Sequence, residues 1–146
     1  MRKWILLVDD DLDIHFLYRK VFERMGMADS IKLFENGAEV LDFLRSSAGE
    51  VKLIFSDVNM PVMDGLQLRK AINNDDIHDL KSIPFVFLST SARDEEVRAA
   101  YDLMVQGFFE KGLTLADIEN SFRSVLEYWE TCTWPAPANP CLSLKG

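Results

Sequence analysis

Four short runs of strand-forming residues in this 146-residue chain stop at side chains that can do chemistry. Trp4 to Val8 runs into Asp9-Asp10-Asp11, Val51 to Ser56 into Asp57, Phe85 to Leu88 into Ser89-Thr90-Ser91, and Gly107 to Glu110 into Lys111. If these ends lie side by side, several carboxylates share one place, where they repel and raise one another's pKa. A hard divalent cation relieves that conflict, and Mg²⁺ favours carboxylate, carbonyl and water oxygens. A lysine and a hydroxyl beside such a metal offer what a phosphoryl group needs, positive charge around its oxygens and a hydrogen-bond donor. The chemistry implied is phosphorus chemistry.

Each piece taken alone has a plainer meaning. An acidic run after a strand often marks a helix start meeting its own dipole, and an aspartate such as Asp57 is commonly a turn residue. Ser89 and Thr90 can cap a helix, and a lone Lys111 reads as a solvated charge. What outweighs these meanings is that one set falls at each of four strand ends. An architecture that gathers those ends is therefore required.

The spacing of apolar residues supplies it. After the aspartates, Ile14, Leu17, Tyr18, Val21, Phe22 and Met25 recur at helical intervals, with Gly26 as a stop. Ser30 to Phe34 forms a second strand, Asn36-Gly37 turns the chain, and Val40, Leu41 and Leu44 mark a helix ending at Ser46 to Gly49. A helix from about Asp64 to Asn73 follows the third strand, carrying Leu68 and Ile72, and Asn73 to Ser82 reads as a long exposed loop. Val97, Ala100, Tyr101 and Met104 define a fourth helix, and Leu115, Ile118, Phe122, Val125, Leu126 and Trp129 a fifth. Five strands alternating with five helices predict an α/β doubly wound parallel sheet. Right-handed crossovers favour the order 2-1-3-4-5, with ligands outside the carboxyl ends of the strands.

Composition narrows the function. The length suits one domain, taken here as residues 1–130, with an irregular tail over 131–146. The formal charge of −8 argues against nucleic acid, whose phosphates need a basic surface. No apolar stretch approaches the roughly 20 residues of a membrane helix, so no membrane partner is expected. The opening Arg2-Lys3 and five apolar residues make too short a core for a signal peptide, which points to a cytoplasmic protein. Cys132 and Cys141 match no zinc spacing and read as two reduced thiols near the chain end.

From about Lys3 to Trp129 the sequence resembles the receiver domain of bacterial two-component response regulators. The stretch Asp57-Val58-Asn59-Met60-Pro61-Val62-Met63-Asp64-Gly65 is similar to that family's phosphoacceptor loop almost residue for residue. The resemblance implies a flavodoxin-like receiver fold in which Asp57 accepts a phosphoryl group from a histidine kinase or phosphotransfer protein. It implies Mg²⁺ bound by Asp10, by Asp9 through water, by Asp57 and by the backbone carbonyl of Asn59, with Asp11 as a helix-start residue. Ser89 matches the family's switch hydroxyl, Lys111 its phosphate-pairing lysine and Phe108 its rotamer-switching aromatic. The expected output is altered protein binding through the surface of helix four, strand five and helix five, toward a downstream target the sequence does not identify. No output domain is discerned, so a stand-alone regulator is expected, and a homodimer through helices four and five is a further expectation.

One position departs from the family pattern: Gly112 follows Lys111 where proline is usual, so a trans bond and an altered loop are predicted. Two rivals are weaker. A phosphohydrolase of the haloacid dehalogenase type would use Asp9 and Asp11, but needs a further acidic pair after the lysine and leaves Asp57 without a role. A receiver that binds partners without phosphorylation does not account for the complete set Asp9, Asp10, Asp57, Ser89 and Lys111.

Overall fold

Side chains at alternate strand positions point to opposite faces of a sheet, and here both faces are apolar, so both must be covered. The computed structural model describes residues 2–134. Its strands are β1 (Trp4–Val8), β2 (Ile31–Phe34), β3 (Val51–Ser56), β4 (Phe85–Ser89) and β5 (Gly107–Glu110). They form one parallel sheet in the order β2-β1-β3-β4-β5, as the alternation of elements predicts.

The helices are α1 (Leu12–Arg24), α2 (Gly37–Ser47), α3 (Gly65–Asn74), α4 (Asp94–Asp102) and α5 (Leu115–Thr131). Leu6, Val8, Ile54, Phe85 and Phe87 bury one sheet face against Val40, Leu44, Leu68, Ile72 and Ala100 of α2, α3 and α4. Ile5, Leu7, Leu53, Phe55, Val86 and Leu88 bury the other against α1 and α5. Phe122 of α5 joins the second layer, its ring centre 5.2 Å from Tyr18, 4.8 Å from Phe22 and 4.8 Å from Phe55. This packing fixes where every strand ends, and so where the chemistry-bearing loops begin.

Local signals set the helix starts. Asp11 is the N-cap of α1, its carboxylate accepting from the Asp13 N–H at 2.9 Å, as the helix-start reading requires. Asn36 caps α2, and Asp64 with Gln67, like Thr114 with Asp117, forms a reciprocal capping box.

Three expectations need correction. The 73–82 segment is not simply an exposed loop: α3 continues to Asn74, and Leu80, in a short 3₁₀ turn, is wholly buried. One apolar anchor in a polar stretch gives no periodic signal. Tyr101 and Met104, read as part of the inward stripe of the fourth helix, are instead exposed. The helix ends at Asp102, and Met104 takes a left-handed conformation, φ 64°, so the stripe cannot continue inward. Helix five extends through Thr131, the residue from which an irregular tail was expected. Trp129 packs half-buried on the α1/α5 layer and stacks on Trp134 at 5.4 Å. Cys132 follows the helix, whereas Cys141 lies outside the described residues.

Candidate functional site

Parallel pairing places the ends of β1, β3, β4 and β5 along one edge. Val8 pairs with Ser56, Ser56 with Phe87 and Ser89 with Glu110, so the residues just beyond must meet. Carboxylate oxygens of Asp9, Asp10 and Asp57 all lie within 4.8 Å of one another. Asp9 is buried, Asp57 half-buried and Asp10 exposed, so the cluster runs from the interior to solvent.

The Lys111 ammonium sits 2.6 Å from the Asp9 carboxylate, both side chains nearly inaccessible. Backbone bonds hold the lysine there: its N–H donates to the Ser89 carbonyl at 2.6 Å. Asp9 also accepts from the Asp11 N–H at 2.9 Å, and Asp57 from the Val58 N–H at 2.8 Å. Burial pushes the Asp57 carboxyl above its ordinary pKa; Lys111 pulls it down and Asp9 pushes it further up. Hydrogen bonds from the Val58 N–H and the Ser89 hydroxyl also lower it. Ser89 itself is wholly buried.

The loop after Asp57 approaches α3 closely. A Cβ on Gly65 would collide with the Asp57 carbonyl oxygen and lie 2.6 Å from the Phe87 ring, so glycine is required there. Gly112 answers the departure noted in the sequence. No cis peptide bond occurs among the described residues, and Lys111-Gly112 is trans. A Cβ at residue 112 would strike the Cβ of Asp117, which closes the capping box of α5. The glycine thus lets the Lys111 loop press on the first turn of α5, a space the usual proline ring could not enter.

Other predicted residues fall as follows. Phe108 is half-buried on the α3/α4 face, its ring 5.6 Å from Phe87. Asn59 is exposed. Ser91 donates its hydroxyl hydrogen to the Glu96 carboxylate at 2.8 Å, while Thr90 is exposed and the Asp11 side chain caps α1. Three contributors were not singled out beforehand. His15 is buried with Nε2 2.5 Å from the Asp9 carbonyl, to which it donates. Tyr18, read only as core, lies 5.9 Å from the Lys111 ammonium across its ring, and burial and the two carboxylates raise its pKa. The three-residue spacing of His15 and Tyr18 was the available sign, since it puts both on one helix face. Glu96, the third, gave no sign, being an acid among acids at a helix start.

The donor set is all oxygen, graded from buried to exposed and open to water at Asp10, which fits a hard divalent cation. The nearby ammonium and hydroxyl complete an arrangement able to stabilise an added phosphoryl group.

Comparison with known proteins agrees. A family model described as the response regulator receiver domain matches residues 5–123. The chain is 31% identical to the response regulator Rcp1 of Synechocystis over 141 residues, covering 92% of this chain and 94% of that protein. It is 29% identical to chemotaxis protein CheY1 of Helicobacter pylori over 122 residues, covering 84% and 95%. Among solved structures, the phosphorylated cyanobacterial phytochrome response regulator RcpA superposes with TM-score 0.81 at 27% identity, covering 93% of this chain and 100% of that one. The strand order, the acid cluster and a family match over most of its length agree: the chain belongs to the response regulator receiver domain family of two-component signalling.

Proposed function

We propose that the protein is a phosphoacceptor switch in which Asp57 takes a phosphoryl group from a histidine kinase or phosphotransfer protein. The observation that carries this reading is the cluster of Asp9, Asp10 and Asp57 oxygens with the Lys111 ammonium directly on Asp9. An Asp57 oxygen attacks phosphorus, the phosphorus–nitrogen bond of the donor phosphohistidine breaks, and the imidazole nitrogen keeps the electron pair. Asp9, Asp10, Asp57 and the Asn59 carbonyl would hold Mg²⁺, which when bound supplies positive charge against the phosphoryl oxygens. A Mn²⁺-bound form exists of Rcp1, 30% identical with TM-score 0.77, which supports a divalent ion here. Leu12, Phe16, Val62 and Leu113 stand exposed on the segments that carry or flank the cluster, and we assign them to the docking of the phosphodonor.

The output follows from charge. Phosphorylation adds between one and two negative charges and three acceptor oxygens. Lys111 then finds a stronger anion than Asp9, and the Ser89 hydroxyl donates to a phosphoryl oxygen. Movement of Ser89 and Lys111 opens space that Phe108 can fill by changing rotamer, which alters the surface of α4, β5 and α5. Exposed Tyr101 and Met104 place apolar contact area on or next to α4, for a downstream protein or a second copy of the chain. In this reading the protein works in the cytoplasm, in the same compartment as its phosphodonor.

Incubation with Mg²⁺ and acetyl phosphate, followed by intact mass spectrometry, tests the first step. One added phosphoryl group is expected, and chelation by EDTA is expected to abolish it. Unchanged mass with Mg²⁺ present would contradict the proposal.

A further inference from the structure

Tyr18 is only 2% exposed, yet its hydroxyl has no hydrogen-bond partner among the described residues. A buried phenol ordinarily finds one, and a phenylalanine would pack as well against Phe122, whose ring meets Tyr18 edge-on at 5.2 Å. The surroundings give the hydroxyl a use. Helical side chains lean toward the helix N-terminus, and α1 starts at the acid cluster, so Tyr18, in the second turn, reaches back toward that cluster. The Lys111 ammonium lies over its ring, 5.9 Å from the centre. Burial, then the charge of Asp9 and then that of Asp57, hold the phenol well above its ordinary pKa. It keeps its proton at neutral pH and is a donor. Asp9 is the acceptor in this setting. One of its oxygens takes the Asp11 N–H at 2.9 Å and the other the Lys111 ammonium at 2.6 Å. When the ammonium leaves for a phosphoryl group on Asp57, the second oxygen loses that partner, and a buried charge stripped of a partner is costly.

We propose that the Tyr18 hydroxyl is a reserve donor for Asp9: it takes the place that the Lys111 ammonium vacates, and so eases the swing of the lysine onto the phosphoryl group. This rests on the reading of Asp57 as phosphoacceptor. Tyr18 acts through Asp9 and Lys111 and touches no reacting atom, so it is a positioning residue. In the resting protein its hydroxyl makes no hydrogen bond and adds nothing to stability. After the swing it donates one hydrogen bond to a buried carboxylate, a strong kind because the acceptor is charged. The move of the lysine therefore costs less than it would beside a phenylalanine.

Two measurements test this. Tyr18→Phe keeps the ring and removes the hydroxyl, so the metal-free variant is expected to unfold at a urea midpoint no lower than the parent's. In the Lys111→Met background, where Asp9 has already lost the ammonium, the same change is expected to lower the folding equilibrium constant about tenfold, the equivalent of one hydrogen bond. A ring that serves only packing would give the same change in both backgrounds. The second measurement titrates the full chain with beryllofluoride, a phosphoryl mimic, by calorimetry in the presence of Mg²⁺. Tyr18→Phe is expected to bind the mimic about tenfold more weakly than the parent. Equal effects of Tyr18→Phe in the two backgrounds, or parental affinity for the mimic, would overturn the proposal while leaving Asp57 as phosphoacceptor. No binding of the mimic by the parent would overturn both.

Discussion

Replacing Lys111 with methionine will destabilise the metal-free protein by about 3–5 kcal/mol, the range for removing one partner of a buried ion pair. The ammonium lies 2.6 Å from Asp9, and the two side chains are 3% and 2% exposed. Neither charge has water to fall back on, so solvent screening does not shrink the effect. Methionine keeps the chain length and apolar stem, which isolates the loss of charge from the loss of packing. Asp9 would be left with the Asp11 N–H and two neighbouring carboxylates. Urea denaturation at neutral pH reads the change directly. Added Mg²⁺ should raise the variant's midpoint more than the parent's, because the ion replaces the missing positive charge in the same cluster. An unfolding free energy within about 0.5 kcal/mol of the parent's, the scatter of ordinary surface substitutions, would mean that Asp9 does not depend on Lys111.

Asp57→Asn will act in the opposite sense on stability while abolishing phosphoryl uptake. Burial and Asp9 hold the Asp57 carboxyl above its ordinary pKa, so its charged form is less comfortable folded than unfolded. Asparagine keeps an oxygen to accept from the Val58 N–H, removes the charge and cannot form the acyl phosphate. The metal-free variant should therefore unfold at higher urea than the parent, and acetyl phosphate with Mg²⁺ should leave its mass unchanged. A variant less stable than the parent would show that Asp57 is held by attraction to Lys111 more than it is strained by burial and Asp9.

Much of this was legible because each functional group sits next to an abrupt change of character in the chain. β1, β3 and β5 begin and end where the sequence places them, since an apolar run meeting Asp9, Asp57 or Lys111 leaves little latitude. The site followed once parallel order set those ends side by side. What escaped depends on contacts between residues distant in the chain. Lys111 rests on Asp9, 102 positions away, a choice between carboxylates that only their burial decides. Arg69 looks like a surface cation on α3, yet it is buried and donates to the carbonyls of Leu103 and Met104 at 3.1 and 3.0 Å. It thereby closes the C-terminal end of α4, where a cation meets the negative end of the helix dipole. Burial lowers its pKa to about 10, which leaves it charged at neutral pH. Gly112 was recognised as a departure, but its reason, the approach of Asp117 from the next helix, belongs to the packing.

Four chain segments bring acid, hydroxyl and ammonium groups together around Asp57, and in the proposed reading that pocket takes a divalent ion. A crystal structure grown with Mg²⁺ and beryllofluoride, a phosphoryl mimic, tests it most directly. The ion should lie among Asp9, Asp10, Asp57 and the Asn59 carbonyl, with the mimic on Asp57, Ser89 donating to it and the Lys111 ammonium moved onto it from Asp9. An ion bound elsewhere, or Lys111 still paired with Asp9 beside an occupied Asp57, would contradict the account.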